Sequence, residues 1–164
     1  MVVVDLDGKI VEGSFKPSSD LIAHLYIYRC RPDVGGVVHT HSTFATAFSA
    51  VGMPLLPYLL TMCDEFGGPV PCTDFAIASE EIGRAVVNAI GNSSAVLLKQ
   101  HGVFTIGSSP EEALRAAVMV EDLARKTYFA LQLGQPEVIP PEKVDQARRL
   151  FLEKYSQRPE LQNH

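Results

Sequence analysis

The segment 37–42, Val-Val-His-Thr-His-Ser, constrains the fold more than any other part of the sequence. Its β-branched residues, preceded by Gly35-Gly36, predict a β-strand. Side chains alternate between the two faces of a strand, so His39 and His41 are predicted to project from the same face. Two neighbouring imidazoles suit a divalent metal such as zinc, whose nitrogen ligands bind at about 2.0–2.1 Å. The alternative at this point is a pair of histidines that are only hydrogen-bonded within the core or at the surface.

Length and composition predict one globular domain. The chain has 164 residues, of which 46% are hydrophobic and 20% charged, so it can bury a sizeable core. The net charge of −5, without a basic cluster, argues against nucleic acid and anionic membrane surfaces as partners. No apolar run reaches the length of a transmembrane helix. The three cysteines form no Cys-x-x-Cys pair, which favours a reducing compartment, and we expect a cytoplasmic protein.

Strands and helices are predicted along the rest of the chain. Asp7-Gly8 is typical of a hairpin turn between two short strands. The segment 61–68 is predicted to be a polar loop closed by glycines. Two buried strands, 95–98 and 103–107, flank a junction that contains His101. Helical spacing and capping residues predict helices from about 21 to 31, 44–51, 79–90, 110–133 and 141–155.

A third histidine and an acid complete a candidate set of metal ligands. Asp20 lies at the predicted start of the first helix, where the helix dipole alone would also favour an acid. Three imidazoles that leave a fourth position open are typical of catalytic rather than structural zinc. His39, His41, His101 and Asp20 are therefore the predicted ligands, although spacing alone does not establish that they converge.

Four motifs in this order resemble the class II aldolase/adducin-head family, and the resemblance covers nearly the whole chain. The motifs are Pro17-Ser18-Ser19-Asp20 with the following His24, Val38-His39-Thr40-His41-Ser42, Gly68-Pro69-Val70-Pro71-Cys72 and Lys99-Gln100-His101-Gly102. The resemblance implies an α/β fold, with a three-layer α/β/α arrangement around a central, largely antiparallel sheet. It also implies a divalent metal, most often zinc, on His39, His41 and His101, and a homotetramer with active sites between subunits.

Within this family the chain is most similar to the L-ribulose-5-phosphate 4-epimerases. Asp20 stands where the fuculose-phosphate aldolases have Glu, Asp64 falls on a catalytic aspartate of the epimerases, and Tyr155 falls on their catalytic tyrosine. The resemblance implies conversion of L-ribulose 5-phosphate to D-xylulose 5-phosphate by retro-aldol and aldol steps, as in arabinose catabolism. Asp64 and Tyr155 from neighbouring subunits would transfer protons, and Asp20 would be a ligand or an acid beside the metal. Ser18 and Ser19 would hydrogen-bond the substrate near its phosphate.

Two other functions fit the same resemblance. One is a class II aldolase that cleaves L-fuculose 1-phosphate or a related ketose phosphate. The other is a non-catalytic assembly domain of the adducin-head type, which the three retained histidines disfavour. Family members also carry an N-terminal stretch with phosphate-binding loops that has no equivalent in these residues, so we expect an N-terminally truncated chain. We expect a single domain over 1–158 and a frayed tail over 159–164.

Overall fold

The computed structural model describes residues 1–154. Within them the chain forms five strands and six helices. The strands are β1 (Val3–Val4), β2 (Ile10–Glu12), β3 (Gly36–Thr40), β4 (Ala95–Leu98) and β5 (Gly102–Gly107). The helices are α1 (Leu21–Cys30), α2 (Thr43–Ala50), α3 (Leu60–Phe66), α4 (Ser79–Ile90), α5 (Pro110–Leu133) and α6 (Pro141–Lys154). The predicted roles of Tyr155 and of the tail 159–164 lie outside the described residues.

The central sheet is antiparallel and has the strand order β3-β5-β4. Its register places His39 opposite Phe104 and Thr40 opposite Val103, so the histidine pair lies at the end of the sheet where β5 begins. β1 and β2 form a separate antiparallel hairpin, as the Asp7-Gly8 turn predicts.

Each face of the central sheet is covered by helices. Side chains alternate along β4, so Leu97 packs with α5 on one face, while Val96 packs with α1 and α4 on the other. Both side chains are fully buried. The predicted α/β fold, with three layers and an antiparallel sheet, is thus confirmed. No helix within residues 1–154 has both the length and the apolar character needed to cross a bilayer.

The helix α3 corrects one prediction, because segment 61–68 was expected to be a loop. Met62, Cys63 and Phe66 are all buried, and this apolar face stabilises a short helix within a polar, glycine-closed sequence. Gly67 ends the helix at φ 69°, and its N–H donates to the carbonyl of Cys63. Asp64 therefore lies on a helix rather than in a loop.

Candidate functional site

His39 and His41 project side by side from the end of β3, as the alternation of strand side chains predicts. Their Nε2 atoms are 3.1 Å apart, and the two rings meet edge to face. His39 is half-buried, whereas His41 follows the last residue of the strand and is exposed. The pair therefore presents two ring nitrogens to the same small volume.

His101 reaches the same volume from the turn between β4 and β5. Its N–H donates to the carbonyl of Leu98 at 3.0 Å, which closes the turn, and Gln100 takes the left-handed φ of 58°. A non-glycine residue in that conformation costs about 1 kcal/mol. The His101 ring centroid lies 4.9 Å from that of His39 and 5.0 Å from that of His41. One ligand nitrogen from each ring lies within 4.8 Å of the other two.

A backbone carbonyl fixes the orientation and the tautomer of His39. Its Nδ1 lies 2.9 Å from the oxygen of Val103, and because a carbonyl can only accept, Nδ1 must carry the proton. Nε2 then keeps its lone pair for the neighbouring imidazoles. The ring also stacks on Phe104, with centroids 4.4 Å apart. Burial lowers the pKa of His39, while the Val103 hydrogen bond and Asp20 raise it in part, so the neutral, metal-binding form is favoured.

Asp20 acts electrostatically on His39 but is not a member of the converging group of three histidines. It occupies the N-cap position of α1, and its negative charge acts on both His39 and His24. Ser19 donates from Oγ to the Asp20 carboxylate at 3.3 Å, and the Asp20 N–H donates to Ser18 Oγ at 3.2 Å. Both predicted substrate-binding serines therefore contact Asp20, whose role as a metal ligand stays a prediction.

The three imidazoles could hold a divalent metal, and the spacing of one pair already matches a shared ion. Nitrogens bound tetrahedrally to one zinc ion at about 2.0–2.1 Å lie about 3.3–3.4 Å apart. The 3.1 Å between the Nε2 atoms of His39 and His41 is close to that separation. The hydrogen bond from His39 Nδ1 to a backbone carbonyl is also the outer contact that metal-bound histidines usually make.

Gly102 allows the backbone of β5 to lie close to Thr40 and His41. We predict that Gly102→Ala destabilises the protein by about 1–3 kcal/mol, as overpacking does. A Cβ at this position would lie 2.6 Å from the carbonyl oxygen of Thr40 and 2.6 Å from Cδ2 of His41. Thermal unfolding measures the loss. Gly134→Ala is the control, because a Cβ there meets no atom of the described part of the chain within 4 Å. Equal stability of the two variants would contradict the prediction.

Asp64 lies on α3, which packs against α6 and α5, and it is not a member of the histidine group. Its backbone carbonyl accepts a hydrogen bond from the guanidinium of Arg148 on α6. Burial and the neighbouring Glu65 raise the pKa of the Asp64 carboxyl, and Arg148 partly opposes them. A half-buried acid with a raised pKa suits proton transfer, although structural acids are also perturbed in this way.

We predict that Asp64→Asn stabilises the fold at neutral pH. A folded-state pKa above the unfolded value means that ionisation of Asp64 destabilises the folded state, and asparagine does not ionise. The advantage should shrink as the pH falls from the raised folded-state pKa to the ordinary aspartate pKa and vanish below it, where both proteins are uncharged at this position. Unfolding curves from about pH 3 to about pH 8 test this. Glu65→Gln is a control with the opposite expected effect. It breaks the ion pair with Arg115 and should lower the free energy of unfolding by about 1 kcal/mol.

The sequence analysis missed two groups that shape the site. The carbonyl of Val103 gives no signal in the sequence, because every residue has one. The carboxylate of Glu121 on α5 accepts hydrogen bonds from the backbone N–H groups of Phe44 and Ala45, three and four residues after His41.

Known proteins of one family have sequences similar to this chain. The profile described as Class II Aldolase and Adducin N-terminal domain matches residues 1–128. L-ribulose-5-phosphate 4-epimerase UlaF of Salmonella paratyphi B is 40% identical, over 79% of this chain and 62% of its own length. The chain thus spans somewhat less than two thirds of the curated relatives that it matches.

Solved structures of the same kind share the fold. An L-fuculose 1-phosphate aldolase superposes with a TM-score of 0.85 at 30% identity, over 92% of this chain and 71% of that one. The L-fuculose-1-phosphate aldolase from Thermus thermophilus gives a TM-score of 0.63 at 30% identity, over 81% of this chain and 70% of its own.

Proposed function

The chain belongs to the Class II Aldolase and Adducin N-terminal domain family, and on that premise we propose that it acts as a metal-dependent sugar-phosphate 4-epimerase. The reaction proposed is conversion of L-ribulose 5-phosphate to D-xylulose 5-phosphate. The observation that carries the proposal is the convergence of three imidazole nitrogens at the end of the sheet. The 40% identity to a protein named L-ribulose-5-phosphate 4-epimerase supports the choice of reaction.

The proposed metal is zinc, held by His39, His41 and His101, with Asp20 as a further ligand or as the acid beside it. Imidazole donors suit zinc better than they suit magnesium or calcium, which prefer oxygen. When bound, the ion supplies a Lewis acid for the oxygens beside the carbon–carbon bond that is broken and re-formed.

Asp64 and Tyr155 are the proposed proton-transfer groups. Epimerisation by bond cleavage requires the aldehyde fragment to be attacked on its other face, so its oxygen loses a proton on one side and gains one on the other. One titratable group on each side meets that requirement. Since burial and Glu65 raise the pKa of Asp64, its protonated form persists to higher pH than that of an ordinary aspartate. Ser18 and Ser19 are proposed to hydrogen-bond the phosphorylated sugar.

A homotetramer, with each active site completed by a neighbouring subunit, is part of the proposal. Asp64 interacts with α6 and not with the histidines, which fits a role in a neighbouring site. The apolar side chains of Ile10 and Val11 on the β1–β2 hairpin are more than half exposed and are available for contact between subunits. Sedimentation at micromolar concentration should give a tetramer, and a monomer would count against the proposal.

An aldolase that cleaves L-fuculose 1-phosphate is the second candidate, because the superposition with an aldolase of that name has a TM-score of 0.85. One experiment separates the two. The zinc-loaded protein is given L-ribulose 5-phosphate and assayed for D-xylulose 5-phosphate, and in parallel is given L-fuculose 1-phosphate and assayed for free aldehyde. Formation of xylulose phosphate supports the epimerase. Cleavage of fuculose phosphate alone supports the aldolase, and zinc binding without either reaction contradicts both and favours a non-catalytic, aldolase-like assembly domain that keeps the metal site.

A further inference from the structure

We propose that Glu121 is a positioning residue that holds the junction between β3 and α2, and thereby His41, in the geometry that the metal site requires. The proposal rests on the metal site of the proposed function. Glu121 lies on α5, about 80 residues after His41 in the sequence, so it links the histidine segment to the longest helix of the described chain.

The contact is made by a carboxylate with the backbone. One oxygen of Glu121 accepts from the N–H of Phe44 at 2.9 Å, and the other accepts from Phe44 at 3.1 Å and from Ala45 at 2.9 Å. Phe44 and Ala45 are the second and third residues of α2, whose N–H groups have no partner within the helix. Ala45 is fully buried, so water could not readily replace this acceptor.

The residue that would normally cap α2 does not do so. Ser42 occupies the N-cap position, but its side chain makes no capping bond, and among residues 1–154 its buried Oγ has no hydrogen-bond partner. A serine at this position usually accepts from one of the same two N–H groups. Glu121, which lies on a helix distant in the sequence, therefore supplies the hydrogen-bond acceptor that Ser42 does not.

A second contact ties the same segment to α5. The ring of Phe44 packs against Tyr128 and Phe129, with centroids 5.7 and 6.0 Å apart, and Arg125 lies 5.8 Å from the Phe44 ring centroid. Glu121, Arg125 and Phe129 are spaced by four residues, so they form one stripe of α5. This stripe contacts both the backbone and the ring of Phe44, which lies three residues after His41.

The His41 side chain contacts the rings of His39 and His101, so its position depends on the junction that connects it to α2. It is exposed and follows the last residue of β3. The next element, α2, starts at Thr43, so only Ser42 separates the histidine from the helix that Glu121 fixes. The Nε2 atoms of His41 and His39 are 3.1 Å apart. A shift of the start of α2 would move the His41 ring away from His39.

Two variants test the proposal, Glu121→Gln and Glu121→Asp. The first removes the charge, and the second keeps the charge but shortens the reach by one methylene. Asp122→Asn is the matched control, since Asp122 is the next residue of α5 and pairs with Lys126 at the surface. We measure the zinc dissociation constant, hydrogen exchange of the Phe44 and Ala45 amides, and the nuclear Overhauser effect between the His39 and His41 rings in metal-free protein.

In both Glu121 variants the amides of Phe44 and Ala45 should exchange faster, and the nuclear Overhauser effect between the His39 and His41 rings should weaken. Zinc should bind about tenfold more weakly, as is typical when an outer contact of a metal ligand is lost. Asp122→Asn should match the wild type in all three measurements. Unchanged zinc affinity in a Glu121 variant whose two amides have lost protection would overturn the proposal. Wild-type protein that binds no zinc would instead defeat the proposed function, and the inter-ring effect then decides whether Glu121 still positions His41.

Discussion

Replacing His39 by alanine is expected to lower zinc affinity by about 10²–10³-fold. Zinc bound by four protein ligands contributes about 10–16 kcal/mol, so one ligand accounts for about 2.5–4 kcal/mol, and each 1.4 kcal/mol corresponds to tenfold. His39 is the best anchored of the three imidazoles, because Val103 fixes its tautomer and Phe104 its ring plane. The measurement is zinc competition against a chelator of known affinity, together with the metal content of the dialysed protein.

His24→Ala is the matched control for this experiment. The His24 ring also contacts Phe104, with centroids 5.2 Å apart, but it is not part of the converging group. Both variants remove one imidazole from the same aromatic cluster, so a general loss of packing should affect them alike. Only His39→Ala should lose zinc. Equal zinc content in the wild type and His39→Ala would falsify the metal site.

The strand that carries the histidine pair could be predicted from the sequence because its signals are local. The alternation of side chains places His39 and His41 on one face, and the register with β5 then brings the His101 turn to the same end of the sheet. That convergence is a property of strand pairing, which the sequence alone does not specify. The convergence of the three histidines was instead predicted from the similarity to a known family.

Helix α3 and the role of Glu121 depend on contacts between distant segments, so local patterns could not predict them. Met62 and Phe66 are spaced by one helical turn, but the acids and glycines around them are typical of a loop. Glu121 and Arg125, four residues apart, would suggest an ion pair on a helix surface. The fold instead directs the carboxylate of Glu121 to the backbone of α2.

Asp64→Asn is expected to lower the rate of epimerisation by about 10²–10⁴-fold while leaving zinc binding intact. A positioned acid or base contributes about that much, and an amide can neither take nor give the proton. Zinc should stay bound, because Asp64 lies outside the histidine group. The measurement is kcat/KM for L-ribulose 5-phosphate, with zinc content determined on the same samples. Glu65→Gln is the control, since it removes the neighbouring acid on the same helix and leaves Asp64 in place.

The pH profile separates a catalytic Asp64 from a structural one. Because the pKa of Asp64 is raised, a proton-transfer role should produce a limb of the profile above the ordinary aspartate pKa. The rate falls on the acid side of that pKa if Asp64 acts as a base, and on the alkaline side if it acts as an acid. Asp64→Asn should remove the limb, and Glu65→Gln should shift it to lower pH, because Glu65 helps to raise the pKa of Asp64. If Asp64→Asn slows the reaction but keeps the limb, the proton is transferred by another group, and Asp64 serves only to shape α3.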